Sequence, residues 1–235
     1  MSKEYIFPPA DPIAIPVQGT EQLFPVHRIF CVGRNYMAHA KEMGVEVDKT
    51  QEEPFYFLKH PSSYVPSNSE IPYPSRTENF HHEMEFAVAI GKGGANISQA
   101  DAVNHIFGSA CALDMTRRDL QQKARSKGLP WDIGKDFEKA AIISEIVPIS
   151  KTGEITEGKI EFSVNGDVRQ SANLNDFIWN VNEVIEHLST LYTLEAGDII
   201  LTGTPEGVSA VLPGDHLTGF VEGVGEISLK VLDPK

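Results

Sequence analysis

Cysteine, positive charge and long apolar runs are all scarce in this chain, and each scarcity removes a class of protein. Its 235 residues contain two cysteines, Cys31 and Cys111, each among apolar neighbours and without C-x-x-C spacing. That pattern suits reduced thiols packed as small hydrophobes, not a disulfide framework or a zinc site. Lysine and arginine number 20 against 33 aspartates and glutamates, a formal net charge of −13. Such a mean field repels a phosphate backbone, so nucleic acid is not expected as a partner. No stretch approaches the length needed to span a bilayer, and Met1 to Pro9 lacks the apolar core of a signal peptide. The chain is therefore expected in the cytoplasm, with no membrane partner. Gly91-Lys92-Gly93-Gly94 lacks the remaining positions of a phosphate loop and reads as a turn. No G-x-S-x-G elbow is present, which weighs against a serine esterase.

What is there is a globular composition, 41% hydrophobic and 23% charged, enough for a sizeable core. Repeats, low-complexity tracts and linkers are absent, so residues 1–235 are read as one β-rich domain with several helices. Residues 1–25, rich in proline, are expected as an extended arm over the body. Strands are expected from His27 to Val32, Phe55 to Lys59, Ser63 to Val65 and Gly108 to Asp114. Ser98 is expected to cap a helix reaching about Phe107. Asn165-Gly166 predicts a hairpin between Lys159–Val164 and Asp167–Gln170. From Asn175, apolar residues at helical spacing predict a packing helix through Leu191. Glycine-joined strands are expected from Pro213 to Leu232.

The chemistry concentrates in His82-Glu83-Met84-Glu85-Phe86-Ala87-Val88-Ala89-Ile90. Alternate strand residues share a side, so Glu83 and Glu85 project together, with Phe86, Val88 and Ile90 expected to continue that side as packing. Their repulsion is relieved by exposure, protonation or a cation, and a hard divalent ion prefers such oxygens. Asp114, ending a small-residue strand, is a turn residue, a helix cap or a third oxygen ligand. Asn35 is a possible N-cap for a short helix stopped at Gly44, in which His39 and Glu42 share a face. That pair is either a base with its carboxylate or an ordinary surface pair. Lys59 is either a snorkelling surface lysine or a cation aimed at a bound acid. Thr116 and Asp119 resemble a capping box for a helix running to about Lys127. Lys135 sits in an aromatic loop, either partly desolvated and so readily perturbed or an ordinary solvated loop lysine. Thr204, flanked by glycine at a strand end, either presents its hydroxyl to an anion or sits in a rigid turn.

Taken in order, Gly33-Arg34-Asn35-Tyr36 with His39 and Glu42, His82-Glu83-Met84-Glu85, Ala112 to Gln121, Lys135-Asp136-Phe137 and Gly203 to Val208 resemble the fumarylacetoacetate hydrolase family. The likeness is to its short acylpyruvase and fumarylpyruvate hydrolase branch, and it runs from about residue 27 to the end. It implies an α+β, β-rich fold, a mixed β-sandwich or roll with peripheral helices, and a homodimer. Glu83, Glu85 and Asp114 match the family's metal ligands, for magnesium or manganese. His39 and Glu42 match its water-activating pair on a mobile lid. Lys135, Gln121 and Thr204 match residues that hold substrate and developing charge, and Arg34 and Lys59 match positions lining the pocket. Relatives often follow that lysine directly with proline, whereas here His60 intervenes before Pro61.

The implied reaction is metal-dependent hydrolysis of the carbon–carbon bond of a 2,4-dioxo acid, such as fumarylpyruvate giving fumarate and pyruvate in aromatic-compound catabolism. Water activated by His39 and Glu42 attacks the distal acyl carbonyl, and the pyruvate enolate departs with its charge held by the metal and Lys135. A distal carboxylate would be read by Arg34, His60 or Arg118. Oxaloacetate decarboxylation and hydroxymuconate-type isomerisation or decarboxylation are alternatives on the same fold, with a sugar-acid dehydratase further off. An inactive metal-stabilised binding protein is the alternative from another class.

Overall fold

A computed structural model describes residues 4–234; Met1, Ser2, Lys3 and Lys235 lie outside them, and so does that part of the expected arm. Two sheets carry the architecture. The larger has eight strands, ordered Phe55–Lys59, Ile29–Gly33, Ile199–Leu201, Met84–Ile90, Ile106–Asp114, Ala141–Ile143 and Tyr64–Pro66, with Val147–Pro148 also pairing on Ile106–Asp114. It is mixed: Ile29–Gly33 runs parallel to Ile199–Leu201 but antiparallel to Phe55–Lys59. The smaller, of five strands, runs Asp167–Asn173, Lys159–Val164, His216–Val221, Gly225–Leu232 and Ser69–Pro72. With its outer helices this is the α+β, β-rich roll expected.

The edges of the larger sheet, Phe55–Lys59 and Tyr64–Pro66, are consecutive in sequence, joined by a single 3-10 turn at Pro61–Ser63. The sheet therefore curls until its edges nearly meet. Its interior is narrow, lined by Ala87, Ala89, Ala110, Ala112 and Ala141 with Ile29, Cys31, Ile143, Ile199 and Leu201. Strand alternation sends Met84, Phe86, Val88, Cys111 and Leu113 to the other face, against Ile160, Phe162, Leu217, Ile227 and Leu229 of the smaller sheet. Phe86 and Val88 thus pack opposite the glutamates rather than beside them, because residues an odd number apart on a strand point to opposite faces.

The expected arm is not wholly unpaired: Ala14–Pro16 and Leu23–Pro25 form an antiparallel pair. Ile15 and Phe24 from this pair close one end of the curled sheet, where Phe24 lies 5.2 Å from the Phe107 ring.

Several boundaries move. The helix expected from Ser98 is only Gln99–Ala102 with a 3-10 turn, and the following strand already begins at Ile106. The helix expected from Asn175 begins at Val181, because Asn180 closes a reciprocal capping box with Glu183. Val184, Ile185 and Leu188 pack it onto Phe30, Val32 and Ile200. The Asn165-Gly166 turn stands, with both residues at positive φ, 53° and 87°. The Thr116–Asp119 capping box does not form: Asp119 instead accepts from Thr77 and Glu78. Asn35 does not cap the Met37–Glu42 helix either. Fully buried, it donates to the carbonyls of Trp179 and Thr202 and accepts from the Trp179 N–H.

Candidate active site

Opposite the end closed by Ile15 and Phe24, the larger sheet gathers its acids. Met84 faces Leu113 across the antiparallel pair, so Glu83 falls opposite Asp114, and Glu85 opposite Ala112 two residues away on the same face. The parity that aligns Glu83 with Glu85 therefore also brings in Asp114. All three are buried, and one carboxylate oxygen from each lies within 4.8 Å of the others.

Cations from three other elements converge on this triad. Lys135 Nζ lies 2.6 Å from Glu83 Oε2 and 2.7 Å from Asp114 Oδ2. Arg118 donates to the other Glu83 oxygen and, at 2.5 Å, to Gln121 Oε1. Lys59 Nζ is 2.9 Å from Asp114 Oδ1 and also donates to the Met115 and Lys135 carbonyls. Among the described residues Glu85 has only a backbone partner, the Gly203 N–H at 2.6 Å. Gly203 sits at φ 97°, and a Cβ there would come 2.7 Å from that of Asn35, so this donor needs glycine.

The protonation pattern follows from that asymmetry. Burial, then repulsion from Asp114 and Glu83, raises the Glu85 carboxyl well above the ordinary range. Burial also opposes the Glu83 charge, yet Lys135 and Arg118 outweigh it and hold this carboxyl below its usual value. Lys135 loses by desolvation but gains more from Asp114 and Glu83, so its pKa is raised and it stays an ammonium.

The donor set fits a divalent cation. It is made only of hard oxygens, Glu85 has no cationic partner, and Asp114 Oδ1 is buried without an aligned hydrogen bond despite its nearness to Lys59.

His39 faces the same cavity from the Met37–Glu42 helix. Its Nδ1 lies 3.1 Å from Glu42 Oε2, and Glu42 is tied in turn to the Gly207 N–H at 3.2 Å. The cavity is lined by Glu83, Lys135, Arg118, Gln121, Thr204 and Arg34. Its open volume is about 40 Å³, room for a few waters, so a larger ligand would need the lining side chains or the Met37–Glu42 helix to shift.

Not every expected residue reaches that space. Lys59, 1% exposed, lies behind the triad rather than on the cavity wall, because the curled sheet turns its strand end inward. Thr204 lines the cavity, but its hydroxyl already donates to the Met84 carbonyl and accepts from Gln170. Lys135 belongs to a helical turn, Asp132–Lys135, rather than a loop, and Gly134 in that turn packs directly on Gln121. His60 is exposed, with Nδ1 engaged by Ser62. Arg125, Phe55, Phe57 and Trp131 also line the cavity, and the sequence reading missed them. A signal for Arg125 existed: Arg118, Gln121 and Arg125 are spaced i, i+3, i+7 on one helix face.

The model of the fumarylacetoacetate hydrolase C-terminal family matches residues 28–232. The chain belongs to that family. It is 52% identical over 189 residues to the fumarylpyruvate hydrolase of a Ralstonia species, covering 80% of this chain and 98% of the relative. With the mitochondrial oxaloacetate tautomerase of Homo sapiens it shares 39% over 207 residues, 88% of this chain and 92% of that one. The crystal structure of Pseudomonas aeruginosa fumarylpyruvate hydrolase, in complex with Mn2+ and pyruvate, superposes with a TM-score of 0.94 at 43% identity. That match covers 98% of this chain and 100% of the other.

Proposed function

We propose that this member of the fumarylacetoacetate hydrolase family is a divalent-metal-dependent acylpyruvate hydrolase, acting on fumarylpyruvate to give fumarate and pyruvate. The observation that carries the reading is the His39–Glu42 pair at a cavity lined by Lys135 and by Glu83, the member of the buried acidic triad that reaches it. The 52% identity to a fumarylpyruvate hydrolase supports it.

Glu83, Glu85 and Asp114 would hold the metal, taken as magnesium or manganese. Bound there, the ion supplies positive charge for the 2-oxo and carboxylate oxygens of the substrate. His39 Nδ1 is engaged by Glu42, which leaves Nε2 as the base that takes a proton from water. Glu42 keeps the ring oriented and offsets the charge it gains. The hydroxyl oxygen bonds to the acyl carbonyl carbon, and the bond from that carbon to C3 of the pyruvyl unit then breaks. The electron pair left on C3 delocalises into an enolate, for which the Lys135 ammonium in the cavity lining would supply positive charge. The proton held by His39 returns to C3, so water and acylpyruvate balance against acid and pyruvate. Arg118, Gln121 and Arg34 line the cavity and would contact the substrate there. In this reading the whole chain is one catalytic domain, cytoplasmic and homodimeric, without nucleic-acid partners, and it serves aromatic-compound breakdown.

Decarboxylation of oxaloacetate would not need water activated by the His39–Glu42 pair. A spectrophotometric scan of fumarylpyruvate, acetylpyruvate and oxaloacetate, with and without magnesium, tests the reading. Metal-dependent loss of the acylpyruvates is expected. Turnover of oxaloacetate alone would reassign the chain to decarboxylation, and no turnover at all would leave a metal-stabilised binding protein.

A further inference from the structure

The cavity has a second charged end. At the floor, Lys135 and Arg118 already face carboxylates. At the other end stand Arg34 and Arg125, and among the described residues neither forms an ion pair or a side-chain hydrogen bond. Arg34 holds a positive φ of 57°, a conformation that a non-glycine residue adopts only at a cost. In it the guanidinium lies 4.7 Å above the Phe55 ring. Arg125 comes from the last turns of the Arg118–Ser126 helix, on the face that carries Arg118 and Gln121. Burial and then the charge of Arg125 lower the pKa of Arg34, while Glu52, the acid that opposes this, makes no ion pair with it. Two like charges kept together without a counter-ion favour an anion between them.

Between the two ends runs an aromatic wall. Phe55 meets Trp131 edge-on at 5.6 Å, Trp131 lies 6.0 Å from Phe57, and Lys135 Nζ sits 5.0 Å from the Phe57 ring. The line from Arg34 through three rings to Lys135 suits a flat, conjugated chain with an anionic group at each end. Arg118 is committed to Glu83 and Gln121, and His60 lies outside the lining, so neither is free to read the far end.

We infer that Arg34 and Arg125 together bind a carboxylate at the distal end of the acyl arm, so that this site selects a flat, unsaturated dicarboxylic acylpyruvate over acetylpyruvate. The assignment rests on the acylpyruvate reading above. The test compares kcat/KM for fumarylpyruvate and acetylpyruvate in the wild type, Arg125→Gln, Arg34→Gln and Arg125→Lys, and measures fumarate binding by calorimetry. The wild type should prefer fumarylpyruvate by about tenfold or more. Each glutamine variant should reduce that ratio at least tenfold and weaken fumarate binding, and Arg125→Lys should keep part of both. Arg125 is exposed on its helix, so its variants should fold. An unchanged ratio in both glutamine variants, or no wild-type preference, overturns the inference. If the wild type hydrolyses neither substrate, the acylpyruvate reading fails instead, and fumarate binding alone decides: weaker binding in Arg125→Gln upholds the arginine pair, and unchanged binding rejects it.

Discussion

Gly207 donates its backbone N–H to both oxygens of Glu42, at 3.2 and 3.3 Å, and so ties the Gly203–Val208 loop to the helix that carries His39. Gly207 is at φ 90°, and a Cβ there would come 1.9 Å from the Arg169 carbonyl oxygen. Gly207→Ala should displace the loop and misplace the dyad, lowering kcat by about tenfold or more. His39→Ala, which removes the proposed base, should cost roughly 10²–10⁴-fold. Hydrogen exchange over residues 37–44 supplies the structural check. It should slow in the wild type on adding oxalate and slow less in Gly207→Ala.

Glu85→Gln keeps the shape and the Gly203 hydrogen bond while removing the charge. Because Glu85 alone in the triad lacks a cationic partner, the apo protein should melt at the same temperature or higher. Divalent-metal affinity should fall by about tenfold or more. Calorimetric titration with manganese reads the loss directly, and unchanged affinity would remove Glu85 from the ligand set.

Lys59 is placed to support the triad rather than to touch substrate. Lys59→Met removes one partner of a buried pair and leaves Asp114 with less compensation, which should destabilise the fold by about 3–5 kcal/mol. Denaturant unfolding measures this. A variant of unaltered stability and raised KM would instead make Lys59 a substrate residue.

His82 supplies a pH dependence. It is buried between Gln170 and Ser209, and burial, with the nearby His81 charge, lowers its pKa from 6.5 to about 4. The unfolded chain binds this proton at higher pH than the folded one does, so the contribution to stability is complete above about pH 6.5. It declines as pH falls through that window and levels off below about 4, an effect of roughly 3 kcal/mol at most. Urea midpoints between pH 7 and 4 should show that slope, and His82→Gln should reduce it, the remainder coming from His81, whose pKa burial also lowers from 6.5 to about 4. An equal slope in both proteins would assign the effect to other groups.

Much of this molecule was legible in the one-dimensional pattern because the relevant physics is local. Two-residue periodicity identified the strand bearing Glu85, and the Asn165-Gly166 pair set a hairpin whose backbone demands positive φ at both positions. The i, i+3 spacing of His39 and Glu42 put both on one helical face. Boundaries failed where a tertiary partner outbid a local preference: Asn35 spends its side chain on Trp179 and Thr202 rather than on a helix end, and Asp119 serves Thr77 instead of closing a box with Thr116.

The sequence by itself determined the residue types of the site and the parity that puts Glu83 and Glu85 on one side of a strand, since covalent geometry imposes that alternation. Only the tertiary structure decided which charges meet. Lys59 reaches Asp114 because the larger sheet curls until its edge strands are joined by one short turn, and Arg34 stands near Arg125 although 90 residues separate them in the chain. Such encounters depend on strand order and sheet curvature, which arise from burying whole faces together and leave no periodic trace in the chain.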